Sequence, residues 1–326
     1  MKIGIAFDLK DDAPPAAGLP DDWQEEFDSP ETVAAIAAAI RAHGHQVVEL
    51  GDGRPFVEKL LADPPDLVFN IAEGRGVSRS REARVPAVCE MLGVPYTGSD
   101  PLTLAAALDK DVARRLVASA KVHVPRGIVV RPGEPLPREF NLPFPAIIKP
   151  AWEGSSKGIR GRCVVRSADE LAAELTTRLR DYRQPLLVEE YIAGDELTVG
   201  VVGNDPPRVL GVMRLLPLKK EEFFVYRLEV KRDWKERVRY ECPAKLSEST
   251  TAAVAAAALA AYRALGCRDV ARIDFRLRGG VPYFLEANPL PGLNPETGDI
   301  SLLARFVGAD HTALVGMILD AALARR

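Results

Sequence analysis

Two short segments near the C-terminus combine carboxylates, an amide and a guanidinium at a spacing that suits metal chemistry. Arg272 and Asp274 lie two residues apart in one apolar segment, and Glu286 and Asn288 lie two apart in the next. Residues two apart on a strand share a face, so a hairpin would bring all four side chains onto one patch. Oxygen ligands without histidine or thiolate suit Mg²⁺. The alternative is a pair of exposed polar strand faces whose carboxylates are balanced by Arg272.

A second segment, 149–158, offers groups that bind phosphate. A predicted strand ends at Lys149 and is followed by a loop of small residues with two glycines. The backbone N–H groups of such a loop, together with a lysine, can contact phosphate oxygens. The lysine precedes the glycines, so the segment does not match the P-loop pattern. An ordinary Gly/Ser turn is therefore the alternative.

A third segment, 188–196, offers groups for the adenine and ribose of a nucleotide. It combines a predicted strand edge with two spaced acids, Glu189 and Glu196. Backbone groups at a strand edge can pair with adenine, and a carboxylate accepts hydrogen bonds from ribose hydroxyls. The alternative is an ordinary acidic turn, which this segment by itself favours.

The elements that must position these groups alternate between strand-like and helix-like patterns, which indicates an α/β architecture. Strands are predicted at 2–7, 46–50, 66–70, 146–149, 186–191, 196–202, 270–277 and 283–287. Helices are predicted at 34–42, 81–92, 101–120, 167–179, 247–265 and 310–324. The acidic segment 8–28 is expected to be either a mobile lid or a solvated insertion. The charged segment 219–240 is expected to be an exposed loop.

Composition excludes several classes of protein. The 326 residues carry 43 basic and 46 acidic side chains, a net charge of −3, which argues against a surface for nucleic acid or for anionic membranes. A hydrophobic content of 47% is enough for the cores of two or three lobes. No apolar run approaches the roughly 18–20 residues of a membrane-spanning helix. The N-terminus does not resemble a signal peptide and the four cysteines are widely spaced, so we expect a cytoplasmic protein.

Six segments, taken together and in this order, resemble the ATP-grasp superfamily and, within it, the D-alanine–D-alanine ligase family. They are 89–99, 108–110, 147–156, 188–199, 241–244 and 272–288. The resemblance implies an ATP-grasp fold with a Rossmann-like N-terminal lobe over 1–100, a small central lobe over 101–185 and a C-terminal lobe over 186–326. It also implies small-molecule amino-acid or peptide substrates and a homodimer.

The resemblance assigns roles to individual residues. Arg272 and the N–H of Gly292 would stabilise an oxyanion, and Ser155 would complete the catalytic set. Asp274, Glu286 and Asn288 would ligate two Mg²⁺ ions, with Mn²⁺ as an alternative metal. The residues implied to bind ATP are Lys110, Lys149, Gly154, Ser155, Ser156, Glu189, Glu190, Tyr191, Ile192 and Glu196.

The activity implied is that of an ATP- and Mg²⁺-dependent carboxylate–amine ligase that acts through an acyl phosphate. Two other uses of the same site are open: a kinase-like phosphotransferase and a non-catalytic ATP-binding sensor. A sensor has no need for two magnesium carboxylates together with the oxyanion arginine, so the ligase is favoured.

The resemblance ends where the family selects its substrates. The family's Gly-rich N-terminal segment is absent, and only Glu25 or Glu26 could take the place of the glutamate that it carries. The segments 73–84, 219–239 and 294–299 also differ. The first two of these segments are rich in basic residues: Arg75, Arg79, Arg81, Arg84, Lys231, Arg232, Lys235, Arg237 and Arg239. We expect these to receive a carboxylate-bearing or peptidic substrate larger than alanine, two solvated loops being the alternative.

Overall fold

The computed structural model describes residues 1–11, 20–136 and 140–325. The first elements along the chain are β1 (Lys2–Ala6), α1 (Pro30–Ala42), β2 (Gln46–Gly51), α2 (Gly53–Ala62), β3 (Leu67–Asn70) and α3 (Arg84–Leu92). The three strands form a parallel sheet in the order β2-β1-β3. Ile3 and Ile5 of β1 face α1, while Ala6 faces α2 and α3. Because both faces are covered, β1 is a continuous apolar run rather than an alternating one.

The predicted helix 101–120 is two helices, α4 (Pro101–Leu108) and α5 (Lys110–Ser119). Asp109 between them is extended, and its carboxylate accepts hydrogen bonds from the N–H groups of Asp111 and Val112, both at 3.1 Å. An aspartate at this position caps a new helix, which ends the previous one. The prediction of one helix is wrong, and the break places Lys110 in the buried first turn of α5.

A second sheet follows, with the strand order β4-β7-β5-β6. Its elements are β4 (Gly127–Val130), β5 (Ala146–Pro150), β6 (Val164–Val165), α6 (Ala168–Tyr182) and β7 (Leu186–Glu190). Leu171 and Leu175 of α6 pack on one face of this sheet. Strands β5 and β7 are antiparallel, with Ile147 opposite Glu189. Lys149 is two residues from Ile147, so Lys149 and Glu189 share the other face of the sheet.

The third sheet is antiparallel and contains the remaining strands. The elements are β8 (Glu196–Val202), β9 (Arg208–Pro217), α7 (Leu228–Arg232), α8 (Trp234–Arg237), β10 (Val238–Glu241), α9 (Glu248–Leu265), β11 (Val270–Arg278), β12 (Val281–Asn288), α10 (Asp299–Phe306) and α11 (His311–Leu323). The strand order is β10-β9-β8-β11-β12. Val254, Ala258 and Tyr262 of α9 pack against Ile273 and Phe275 of β11. This packing fixes one face of the hairpin and leaves the other for polar groups.

The charged segment 219–240 is not an exposed loop, so that prediction is wrong. It contains α7, α8 and the first part of β10, and Phe224, Val230 and Val238 are buried in a cluster with Leu215 of β9. Apolar residues interleave with the charged ones, so the segment buries one side and solvates the other. Helices α2 and α10 and strands β4 and β9 were not predicted either.

The acidic segment 8–28 is folded onto the body of the protein where it is described. Asp22 is fully buried, and its carboxylate accepts hydrogen bonds from the Gly158 N–H at 2.9 Å and the Tyr182 hydroxyl at 3.1 Å. Glu26 and Phe27 are buried as well. The solvated-insertion alternative is therefore wrong for residues 20–28, while residues 12–19 lie outside the described part of the chain.

Two features of the described residues bear on the expectations from composition. All four cysteines are free, with three buried and Cys242 partly exposed. No single described helix has both the length and the apolar character needed to cross a membrane. The pair α10 and α11 meets that test only when taken together, and it is bent by 106°.

Burial of Asp28 gives the fold a pH dependence. Burial raises the pKa of Asp28 to about 7, against a smaller opposing effect of Lys10. The folded protein therefore keeps a proton that the unfolded chain releases near pH 4, so stability falls as the pH rises from about 4 to about 7. We expect Asp28→Asn to stabilise the protein by up to about 4 kcal/mol at neutral pH and by progressively less in acid. Thermal melting between about pH 5 and pH 8, with the exposed Asp320→Asn as control, measures this; a gain that does not change with pH would contradict it.

Candidate active site

Two cavities meet between the second and third sheets. The first has a volume of about 810 Å³ including its open mouth and is bordered by β5, β7 and β11. The second, of about 510 Å³ on the same measure, lies between the loop after β5 and the residues that follow β12. Ser155 and Arg272 line both cavities. The two cavities therefore meet beside these two residues.

The residues predicted from the sequence divide between the two cavities. The first cavity is lined by Lys149, Ser155, Ser156, Glu189, Glu190, Tyr191, Ile192, Glu196, Arg272, Asp274 and Glu286. The second is lined by Lys110, Gly154, Ser155, Arg272, Asn288 and Gly292. Segments far apart in the sequence thus converge on one cleft.

The hairpin of β11 and β12 positions the acidic part of the site. Arg272 pairs with Asn288, and Asp274 pairs directly with Glu286 across the two strands. All four side chains are on one face, as their spacing predicts, while Ile273 points into the core. Two carboxylates in a cross-strand pair repel one another unless a cation lies between them.

Arg272 supplies that positive charge. Its Nη2 lies 2.9 Å from Asp274 Oδ2 and 3.5 Å from Glu286 Oε1. Its Nη1 donates to Asp299 Oδ2 at 2.9 Å. The Asp274 Oδ1 atom also accepts a hydrogen bond from Thr198 at 2.9 Å. The guanidinium is held by three carboxylates, which fixes its plane at the junction of the two cavities.

The two paired carboxylates have opposite pKa shifts. Burial, reinforced by Glu286 and Asp299, raises the pKa of Asp274 to about 7 although Arg272 opposes this. Burial would also raise the pKa of Glu286, but the charges of Lys110 and Arg272 outweigh it and hold the value at about 2. Lys110 Nζ lies 2.9 Å from Glu286 Oε2. Negative charge therefore exceeds positive charge around Asp274.

A metal site at this face is supported by donor chemistry rather than by an assembled cluster. Among the described residues, no group of three or more His, Cys, Asp or Glu side chains is arranged to hold a metal ion. The predicted set has two carboxylates and the Asn288 amide, which suits Mg²⁺ because that ion keeps water ligands and takes others from substrate phosphates. Among the described residues, Arg272 and Lys110 lie within ion-pair distance of Asp274, Glu286 and Asp299. The charges of Lys149 and Lys231 act on Glu286 and Asp299 from farther away.

The first cavity has ion pairs at both ends. Lys149 Nζ lies 2.7 Å from Glu189 Oε2, and both side chains are buried. At the other end, Arg276 donates to Glu196 at 2.8 Å and to the Tyr191 hydroxyl at 2.7 Å. These contacts hold the two acids at fixed positions on the cavity wall.

The loop 154–156 forms the boundary between the cavities. Ser155 and Ser156 both have positive φ, 48° and 60°, a conformation that residues other than glycine rarely adopt. The Ser156 hydroxyl donates to the Tyr226 carbonyl at 2.9 Å, which ties the loop to the segment before α7. The Gly154 N–H donates to Glu26 from the N-terminal acidic segment. Three parts of the chain thus close over the junction.

Sequence reasoning missed two groups at the site and expected another role for a third. Lys231, expected with other basic residues to receive the substrate, lines the first cavity, and burial lowers its pKa. Asp299 binds Arg272, and Arg276 binds Glu196. The two-residue periodicity of β11 could have indicated Arg276, which shares a face with Arg272 and Asp274. No local signal distinguished Asp299 from other charged residues.

Five of the nine basic residues expected to receive an acidic substrate pair with carboxylates of the protein itself. Arg75 pairs with Asp52 at 3.2 Å, and Arg79 pairs with Asp109 at 3.1 Å. Arg81 contacts two buried carboxylates. The other pairs are Arg232 with Glu25 and Arg237 with Asp233. The charges of these five arginines are matched within the protein, so they give no support to the expected carboxylate-bearing substrate. Among the described residues, no carboxylate lies within 4.0 Å of the basic groups of Arg84, Lys231, Lys235 or Arg239.

Comparison with known proteins agrees with this geometry. Residues 136–320 match a family model described as the D-ala D-ala ligase C-terminus. The chain is 35% identical over 296 residues to the D-alanine–D-alanine ligase of Gluconobacter oxydans, covering 89% of this chain and 93% of that one. It is 33% identical to the D-alanine–D-alanine ligase of Aquifex aeolicus over 89% of this chain and 94% of that one. It is also 32% identical to the uncharacterized protein y4sG of Sinorhizobium fredii, covering 88% and 86%.

Two solved ligase structures have the same fold as this chain. The crystal structure of D-alanine–D-alanine ligase from Bacillus anthracis complexed with ATP superimposes with a TM-score of 0.77 at 22% identity, covering 100% of this chain and 98% of that one. The VanG D-Ala:D-Ser ligase from Enterococcus faecalis gives a TM-score of 0.71 at 20% identity, with coverage of 98% and 99%. At these identities the likeness shows the fold alone.

The fold and site define an ATP-grasp enzyme, a carboxylate–amine ligase that uses ATP and Mg²⁺. The chain belongs to the D-alanine–D-alanine ligase family. It is accordingly an enzyme that forms a C–N bond and acts on small amino-acid substrates. The predicted family, fold class and activity are confirmed, and the sensor and phosphotransferase alternatives are disfavoured.

Proposed function

We propose that the protein joins the carboxylate of an amino acid to the amine of a second small molecule, with ATP in the first cavity and the amino acid in the second. The observation that carries this proposal is that the two cavities meet at Ser155 and Arg272. D-alanine, the substrate in the names of the ligases from Gluconobacter oxydans and Aquifex aeolicus, is one candidate for each position.

The residues around the first cavity would bind the nucleotide. Glu189 and Glu196 would contact the adenine and ribose, with the backbone of Glu190, Tyr191 and Ile192 pairing with the adenine edge. Lys149 and Lys110 would contact phosphate oxygens. The loop residues Gly154, Ser155 and Ser156 would cover the triphosphate. In this arrangement the Lys149–Glu189 ion pair opens toward the ligand, since each partner gains a nucleotide contact.

The chemistry proceeds in two steps. A carboxylate oxygen of the amino acid attacks the γ-phosphorus, ADP leaves, and an acyl phosphate forms. The amine nitrogen then attacks the acyl carbon, the amine loses a proton, and phosphate leaves with the former carboxylate oxygen. Arg272 and the Gly292 N–H would stabilise the oxyanion of the tetrahedral intermediate. Two Mg²⁺ ions, or Mn²⁺ in their place, held by Asp274, Glu286 and Asn288 would neutralise phosphate charge.

The proposed function also implies a division of the chain into three lobes. The proposed lobes span 1–100, 101–185 and 186–326, with the nucleotide between the second and third. Each contains most of one sheet, but β7 (Leu186–Glu190) pairs in the second sheet although it falls in the third proposed lobe. A homodimer is proposed from the resemblance to the family alone.

An oxygen-isotope experiment tests the proposed reaction. The full-length protein is incubated with Mg-ATP and a panel of D- and L-amino acids labelled with ¹⁸O in the carboxylate. We expect amide products and one ¹⁸O transferred to phosphate for each bond formed. Phosphate released without ¹⁸O or amide, or a stable phosphorylated product, would contradict the proposal.

A further inference from the structure

The wall of the second cavity carries an excess of carboxylates. Four glutamates line it, Glu26, Glu73, Glu82 and Glu153, against the two basic residues Lys110 and Arg272. The four come from the N-terminal acidic segment, the segment after β3 and the loop after β5. Glutamates from three parts of the chain therefore meet at the place proposed for the amino-acid substrate.

Two of the four have cations of their own. Glu26 lies 2.8 Å from Arg81 and 3.0 Å from Lys157. Glu153 lies 3.1 Å from Arg81 and 2.6 Å from Lys157. All four of these side chains are buried, so they form a closed network in which two positive charges balance two negative ones.

The basic residues of the cavity are also committed. Lys110 pairs with Glu286, and Arg272 is held by Asp274, Glu286 and Asp299. Neither is therefore available to balance Glu73 or Glu82.

Glu82 has no cationic partner in the described part of the chain. Its side chain is only 7% exposed and lines the cavity, and no Lys, Arg or His nitrogen of those residues lies within 4.0 Å of it. Glu73 lines the same cavity, and the two carboxyl groups are close enough to influence one another's pKa. Burial, reinforced by Glu26, raises the pKa of Glu82 to about 8, while Arg81 and Lys110 oppose it. Neighbouring carboxyl groups in a cavity wall, without a cation of their own, can bind a cationic ligand and release any proton that they hold.

We propose that the amino acid bound in this cavity carries a second ammonium group, on an alkyl side chain, and that Glu73 and Glu82 bind it. This inference rests on the proposed function and specifies its substrate class. It reverses the charge expected from the arginine-rich segments, because five of those arginines are paired internally whereas these two glutamates have no cation within 4.0 Å among the described residues. An acidic substrate would add a further negative charge beside two unbalanced carboxyl groups.

Matched pairs of amino acids test the proposal in the full-length protein. Lysine and norleucine have nearly the same length but differ in the terminal ammonium, as do ornithine and norvaline; glutamate serves as the acidic probe. Amide formation is measured with Mg-ATP for both enantiomers of each. We expect kcat/KM for each basic amino acid to exceed that of its neutral counterpart at least tenfold, with glutamate the poorest substrate.

Two variants show whether the glutamates are the cause. Glu82→Gln and, separately, Glu73→Gln should lower kcat/KM for lysine at least tenfold and leave that for norleucine within about threefold. The exposed Glu58→Gln on α2 is the matched control, and the melting shift caused by Mg-ATP checks that each variant is folded.

The possible outcomes distinguish a failure of the substrate inference from a failure of the proposed ligase function. If norleucine equals or exceeds lysine in the wild type, or if both variants lose activity equally toward lysine and norleucine, the inference is wrong and the ligase function stands. If no amino acid in the panel supports amide formation, the proposed function fails and the inference fails with it.

Discussion

Arg272→Lys is expected to lower kcat by about 10²–10³-fold, because a lysine keeps the positive charge but not the planar set of donors. In the structure the guanidinium contacts Asp274, Glu286 and Asp299 at once. A single ammonium cannot span these three carboxylates and also reach a tetrahedral oxyanion. A change of this size corresponds to about 3–4 kcal/mol of transition-state stabilisation.

The division between kcat and KM distinguishes this role from a structural one. Arg272 lies at the junction of the cavities, beyond the proposed adenine and ribose contacts, so KM for ATP should change by less than about threefold. Arg263→Lys, at an exposed position of α9, is the control for a general effect of the substitution. A variant at position 272 with near wild-type kcat, or one whose only defect is a raised KM for ATP, would exclude the oxyanion role.

Local patterns predicted the hairpin because its structure is determined locally. Residues 270–277 and 283–287 alternate around a Gly-Gly turn, and the register that results places Asp274 opposite Glu286. The two-residue period alone puts Arg272 on the same face. The central chemistry of the site was therefore visible before any long-range contact was known.

The rest depended on contacts between distant segments. Asp109 ends one helix and caps the next, but in the sequence it is one more aspartate within a helical pattern. The segment 219–240 has the composition of a loop, yet its apolar residues find a surface on β9. The proximity of Glu26, Arg81 and Lys157 joins three parts of the chain. Composition indicated charged loops, and only the fold shows which charges neutralise one another.

Which charges are neutralised within the fold determines what the basic residues can bind. Counted along the chain, Arg75, Arg79 and Arg81 predict a site for an anion. In the folded protein each of the three is paired with an aspartate or glutamate. At the amino-acid cavity, two carboxyl groups have no cation within 4.0 Å in the described part of the chain. An unpaired charge in a cavity wall is therefore better evidence of a ligand than a cluster of like charges in the sequence.

Asp274→Asn and Glu286→Gln are expected to have the second large effect, a loss of Mg²⁺-dependent turnover of at least about 100-fold. Each substitution removes one of only two carboxylates in the predicted set. The concentration of Mg²⁺ that gives half-maximal activity should rise at least about tenfold in both variants. Asp195→Asn is a matched control, since Asp195 immediately precedes β8 of the same sheet, pairs with Arg214 and lines neither cavity.

The two variants should differ in the absence of metal, which separates ligation from charge balance. Asp274 has its carboxyl pKa raised to about 7 by burial and by the neighbouring acids, so an asparagine there relieves repulsion and should not destabilise the fold. Glu286 is ionised and bonded to Lys110, so glutamine there leaves a buried ammonium without its partner and should lower the melting temperature. If both variants kept the wild-type response to Mg²⁺, the metal ligands would have to lie elsewhere in the chain. If only Glu286→Gln lost activity, and in proportion to its loss of stability, Asp274 would be a structural residue and not a ligand.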